Sequence, residues 1–220
     1  MSLSSDMTHL AWYDPGSVKI GGTTKTKGVI NKHIGAEKAL KARTKTDKAE
    51  QKTVDHYQNK SHEINGVFRE GHTPAEGHEK HVEHLDSLTS HETHKPVSVY
   101  RGVHHSFRSL PVGTHIEDKG YTGTSAHRHV AERFGVNGEE HKDGKVIYHN
   151  TVAHIRLPKG TKGAYLPNHN ASSRFKQEGE FLMHRGSKFK VTGHSHTVEQ
   201  DEENPNHYHH FHVVHMEHVS

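Results

Sequence analysis

The sequence predicts an α+β fold, and three observations predict it. Helical periodicity is confined to the first half, β-branched and alternating runs are confined to the second, and Gly, Pro and Asn punctuate those runs. From Asp47 to Arg69, Val54, Tyr57, Ile64, Val67 and Phe68 recur at helical spacings, so one helix face is buried. Gly71 and Pro74 close that helix. "EGHEKHVEHLDSLTSH" repeats the pattern through Val82, Leu85 and Leu88 and predicts a second helix. After Pro96 the character changes: "VSVYRGV", "KVIYHNTVAHIRL", "EFLMHRGSKFKVTG" and "HYHHFHVVHMEHV" read as strands. Between them, "TGTS" alone reads as a turn or N-cap, and "HVAERF" as a short amphipathic helix.

A chain of 220 residues is long enough for one domain with some extra tail. Only 29% of its residues are hydrophobic, so the core is small, yet a formal charge of +3 does not oppose collapse. Residues 19–48 are strongly basic and begin rich in Gly and Thr, so 1–45 reads as a basic, flexible leader and 46–220 as the folded domain. No aromatic residues interleave with those charges, which favours a solvated leader over a nucleic-acid patch. No stretch approaches the ~20 apolar residues of a membrane span, and the N-terminus lacks the basic and apolar regions of a signal peptide. The expectation is a cytoplasmic protein with no membrane partner, a monomer. Without cysteine, disulfides, thiolate zinc sites and thiol nucleophiles are excluded. The 28 histidines are scattered along the chain, and protonating them would add as many positive charges, so acid should unfold it.

"QEGEFLMHRG" sets Glu178 and Glu180 two residues apart at the mouth of an apolar run. On an extended segment two such side chains point the same way, so both could address one ligand. Paired carboxylates suit a substrate that is, or becomes, cationic. Upstream, "VYRGV" ends a strand in Arg101 and "GYTGTSAHRHVAERF" supplies a polar turn.

Together these segments resemble the Arg/Ser-Thr-Ser/Glu class of mono-ADP-ribosyltransferases, which includes clostridial binary toxins, mammalian arginine-specific ectoenzymes and phage enzymes. The resemblance spans roughly residues 47–220. It runs through the helix bearing Tyr57, Ile64, Asn65 and Arg69, then "SVYRGV", "DKGYTGTS", "IRLPKGTKGAYLPN" and "QEGEFLMHRGSKFKV". It implies N-terminal helices packed on two small, mostly antiparallel sheets that form an NAD cleft. It also implies transfer of ADP-ribose from NAD, as co-substrate, to arginine side chains of a target protein, with no metal. By this resemblance Glu180 is the catalytic glutamate, bonding the nicotinamide ribose and stabilising the developing cation. Glu178 orients and helps deprotonate the incoming guanidinium. Arg101, with Gly102 beside it, holds the NAD phosphates. Thr124 and Ser125 match the last two members of the triplet. Gly123 takes the place of the first, so the hydroxyl that steadies the glutamate falls to Thr122, to water or to nothing. Phe134 matches an aromatic packed on nicotinamide, Phe175 one that presents the acceptor, and Tyr57 and Asn65 positions near the adenosine.

Three other readings compete. His207, His209, His210, His212, His215 and His218 crowd one strand, and His210 and His212 share a face, as paired zinc or nickel ligands would. Gly123 makes an NAD glycohydrolase or an inactive binding module conceivable. The basic leader leaves nucleic acid as an alternative acceptor. With no receptor-binding domain, a phage or bacterial effector enzyme is expected rather than a free-standing toxin.

Overall fold

The computed structural model describes residues 47–169 and 173–219. The leader expected over 1–45 lies outside them.

Asp47 opens helix α1 (Lys48–Glu70): its carboxylate accepts from the backbone N–H groups of Ala49 and Glu50, and Glu50 returns a bond to the Asp47 N–H. The helix is bent at Lys60, whose backbone leaves helical geometry. One residue earlier, the Asn59 side-chain amide donates to the Asp55 carbonyl at 2.8 Å, intruding on the backbone ladder. Gly71, with φ of 71°, ends the helix in the left-handed region. Helix α2 (His78–Thr89) packs against it.

Among the described residues nine strands follow: β1 (Val97–Gly102), β2 (His115–Asp118), β3 (Thr122–Ser125), β4 (Val136–Lys142), β5 (Lys145–Leu157), β6 (Gly163–Tyr165), β7 (Glu180–Met183), β8 (Ser187–Gln200) and β9 (His207–Val219). Helix α3 (Arg128–Phe134) joins β3 to β4, and the short α4 (Ser173–Lys176) precedes β7. The order is β2-β8-β9-β5-β1-β3-β7-β6, with β4 also paired to β5. Only β5 and β9 run parallel; the other neighbours are antiparallel. The two expected sheets are the two ends of this order. They join between β1 and β3 at one registered pair, Tyr100 with Ser125.

"TGTS" is strand β3 rather than a turn. Its β-branched threonines lie between two apolar strands, which supply the ladder that local turn preference lacks. The polar strand β4, not foreseen, is fixed by the two-residue hairpin at Asp143 and Gly144, both at positive φ.

Two apolar clusters hold the layers together. One lies among β1, β5, β8 and β9 and takes in Phe181 and Met183 of β7. The other joins Val54, Tyr57 and Ile64 of α1 and Leu85 and Leu88 of α2 to Tyr121, Ala164 and Leu182. Strand β7 is therefore buried on both faces, with alternate residues in different clusters. That explains an apolar run without alternation in so polar a chain.

Candidate active site

Strand β3 lies between β1 and β7, so side chains from three strands and α1 meet around it. Glu180 opens β7 and pairs with Ser125. Two residues before Leu182, it lies on the same face of the strand, toward α1. There the Gln58 side-chain amide donates to Glu180 Oε2 at 2.8 Å. The other oxygen approaches Gly123: a Cβ on that glycine would sit 3.0 Å from Glu180 Oε1 and 3.5 Å from Arg101 Nη1. Arg101, near the end of β1, donates through Nη1 to the Gly123 carbonyl oxygen. A carboxylate and a guanidinium thus approach one residue that has no side chain.

The remaining hydroxyls of β3 are engaged with neighbouring elements. Thr124 donates to the Phe181 carbonyl at 2.7 Å. Ser125 donates to the Glu178 carbonyl at 2.6 Å and accepts from the His127 N–H. Thr122 donates to Asp118 Oδ2 at 2.7 Å and is fully buried. Of the candidates for the missing triplet hydroxyl, Thr122 is thereby corrected, because its own hydroxyl is directed to Asp118. Gln58 does reach Glu180, and no pattern in the sequence singles it out: the two residues lie 122 positions apart.

Glu178 lies near Glu180, but not through strand alternation. The strand begins at Glu180, and residues 177–179 form a turn with Gly179 at φ of 56°. A Cβ on Gly179 would come within 2.5 Å of the His127 ring, so glycine satisfies both the backbone and the contact. The Glu178 N–H donates to the Phe175 carbonyl at 3.1 Å, which ties the turn to α4. Phe175 is half-buried there, and residues 170–172 of its loop lie outside the described residues.

Phe134 ends α3 and is 38% exposed, so it does not close a core. Gly102 lies under it: a Cβ there would meet the Phe134 and Gly135 backbone at 2.5 Å. The glycine lets the end of β1 pack against the end of α3, which sets Phe134 beside the strand that carries Arg101.

Tyr57 and Asn65 are buried, at 3% and 2% exposure. Asn65 donates to the Tyr57 hydroxyl and accepts from the Tyr121 N–H at 2.8 Å. The Tyr57 hydroxyl in turn meets the Tyr121 carbonyl at 3.4 Å. Both residues lock the backbone that leads into β3. Arg69 does the same from the end of α1, with a two-pronged bond to Asp118 at 2.8 and 2.9 Å and a third bond to the Tyr121 carbonyl.

The histidines of β9 lie apart from this constellation. Burial, with the charges of Arg108, His196, His149 and His210, pulls His212 down to about 4, and burial beside His149 and His196 also lowers His210. Among the described residues, no group of three or more histidine or carboxylate side chains stands where it could hold a metal ion. No helix among them is long and apolar enough to cross a membrane.

Residues 31–208 match the model of the ADP-ribosyltransferase exoenzyme family. The chain belongs to that family. Membership in the ADP-ribosyltransferase exoenzymes carries mono-ADP-ribosyl transfer from NAD as the reaction. No curated protein sequence matches. Solved exoenzymes share the fold at low identity. Plx2a, an ADP-ribosyltransferase toxin from Paenibacillus larvae, is 17% identical with a TM-score of 0.63, over 86% of this chain and 96% of its own. The Clostridium limosum C3 exoenzyme is 16% identical with a TM-score of 0.60, over 94% and 100%. C3stau2 from S. aureus, solved with NAD, is 19% identical with a TM-score of 0.57, over 88% and 99%.

Proposed function

We propose that this exoenzyme transfers ADP-ribose from NAD to arginine side chains of target proteins. The observation that carries the reading is the approach of Glu180 Oε1 and Arg101 Nη1 to the same bare backbone at Gly123. Arg101 grips the diphosphate through a rigid, permanently charged fork. Glu180 bonds the nicotinamide ribose. As the bond from the anomeric carbon to the pyridinium nitrogen breaks, nicotinamide leaves with the electron pair, and the carboxylate stabilises the cation left on the sugar. Phe134 offers its exposed ring to the departing heterocycle.

The acceptor follows from Glu178. A guanidinium attacks poorly while protonated, and a carboxylate at the turn can orient it and take its proton as the new C–N bond forms. The pairing of Ser125 with Glu180 supports this register: the residue two before the catalytic glutamate is Glu178, and Gln177 is one step further away. Phe175, bonded through its carbonyl to the Glu178 N–H, presents the acceptor.

Incubation with labelled NAD in a bacterial lysate, followed by peptide mass spectrometry of the labelled band, tests the reading. ADP-ribose on arginine supports it; ADP-ribose on another side chain or on nucleic acid overturns the acceptor. Nicotinamide release with no labelled acceptor leaves a glycohydrolase.

A further inference from the structure

We infer that Gln58 is a positioning residue that holds the Glu180 carboxylate in place of the triplet hydroxyl absent at Gly123. The inference rests on the reading of Glu180 as the catalytic carboxylate. Its amide donates to Glu180 Oε2 at 2.8 Å. Only the NH2 end of an amide can face an ionised carboxylate, which accepts and does not donate, so the chemistry fixes which way Gln58 points.

The hydroxyls of Thr122, Thr124 and Ser125 are directed to Asp118, to the Phe181 carbonyl and to the Glu178 carbonyl. Gly123 has no hydroxyl to offer. A Cβ there would lie 3.0 Å from Glu180 Oε1, so the carboxylate leans against the bare backbone and would yield by a few tenths of an ångström to admit a serine. The bare glycine and the amide from α1 therefore form one arrangement: removing the side chain from β3 lets the carboxylate lean in, and Gln58 fixes it from behind. Gln58 is itself well anchored, since it follows Tyr57, whose ring is buried between the helices and β7. An amide orients the carboxylate without adding charge beside a developing cation.

Nicotinamide release against NAD concentration tests this in wild type, Gln58→Met, Gln58→Glu, Glu180→Gln and the double variant Gln58→Met with Gly123→Ser. Methionine keeps the length of the side chain and removes its donor; glutamate keeps its shape and sets a second carboxylate against Oε2. Loss of an orienting bond to a charged group corresponds to a roughly 10- to 100-fold fall in kcat. The expected result is that fall in Gln58→Met with KM for NAD changed less than about twofold, an equal or deeper fall in Gln58→Glu, and partial recovery of kcat in the double variant. Recovery is the decisive readout, because a merely structural role for Gln58 gives a serine at 123 nothing to restore. A kcat within about twofold of wild type in Gln58→Met, beside a Glu180→Gln that is inactive, overturns the inference and leaves the reading of Glu180 standing. So does a kcat loss that serine does not relieve. Full activity in Glu180→Gln sinks the reading itself.

Discussion

Ser125 donates its hydroxyl to the backbone carbonyl of Glu178 at 2.6 Å. A residue of β3 thus fixes the turn that precedes β7, and the turn carries the first glutamate. Ser125 also pairs in register with Glu180, so one residue ties down the backbone of both glutamates. The strand places Glu180, and the serine hydroxyl places the backbone of Glu178.

The two glutamates should therefore separate by function. Glu178→Gln removes the proposed base for the guanidinium and leaves the Glu180 side chain in place. Transfer to an arginine acceptor should fall about 100-fold or more, while NAD hydrolysis without acceptor should stay within roughly tenfold of wild type. Parallel assays of nicotinamide release and acceptor labelling read both; equal losses would remove the distinction in roles.

Arg101→Ala deletes the proposed phosphate grip and the bond to the Gly123 carbonyl. Charge-assisted bonds of this kind correspond to a rise of roughly 10- to 100-fold in KM for NAD. Arg101→Lys should recover only part, because a point charge does not reproduce the fork. Isothermal titration with NAD checks the binding directly, and unchanged affinity in Arg101→Ala would remove this residue from the site.

The Asp118 side chain is fully buried and accepts from Arg69 twice, from the Gly120 N–H and from Thr122. Asp118→Ala leaves the Arg69 guanidinium, only 12% exposed, without that partner. Breaking a buried pair typically costs about 3–5 kcal/mol. For a domain of this size the melting temperature should fall by roughly 10 °C. Differential scanning fluorimetry checks it; a shift under about 2 °C would show that the β2–β3 connection does not depend on this pair.

Much of the fold was legible because it follows from local pattern. The helices carry their spacing and caps, and β7 announces itself as an apolar run in a polar chain. The strand character of "TGTS" was hidden because its ladder partners come from β7, more than fifty residues away, and not from the segment itself. Arg101 and Glu180 were singled out through the resemblance of their segments, and both side chains approach Gly123. Gln58 was not, since its contact with Glu180 exists only once α1 lies against β7. Tyr57 and Asn65 were singled out through the resemblance, as positions near the adenosine; their polar atoms engage the Tyr121 backbone, a contact no helical spacing encodes.

Acid should destabilise the fold through the histidines. Burial lowers His81, His104, His154, His184, His210, His212 and His218, with neighbouring imidazoles and arginines adding to it at most of these positions. The unfolded chain titrates near ~6.5, above the folded values, so it binds more protons as pH falls. Their contribution to stability is intact above that pH and is lost on descending toward the folded value, about 4 for His212. The melting temperature at pH 5 should lie about 5 °C or more below that at pH 7.5. Equal values would mean that the histidine environments do not differ between the folded and unfolded chain.

The most direct test of the account is nicotinamide release from NAD by Glu180→Gln, a variant that keeps the shape of the side chain and removes its charge. The account predicts a fall of about 100- to 1,000-fold in kcat, with NAD still bound through Arg101. A variant that cleaves NAD at the wild-type rate would contradict it, because the carboxylate beside Gly123 would then have no part in breaking the bond.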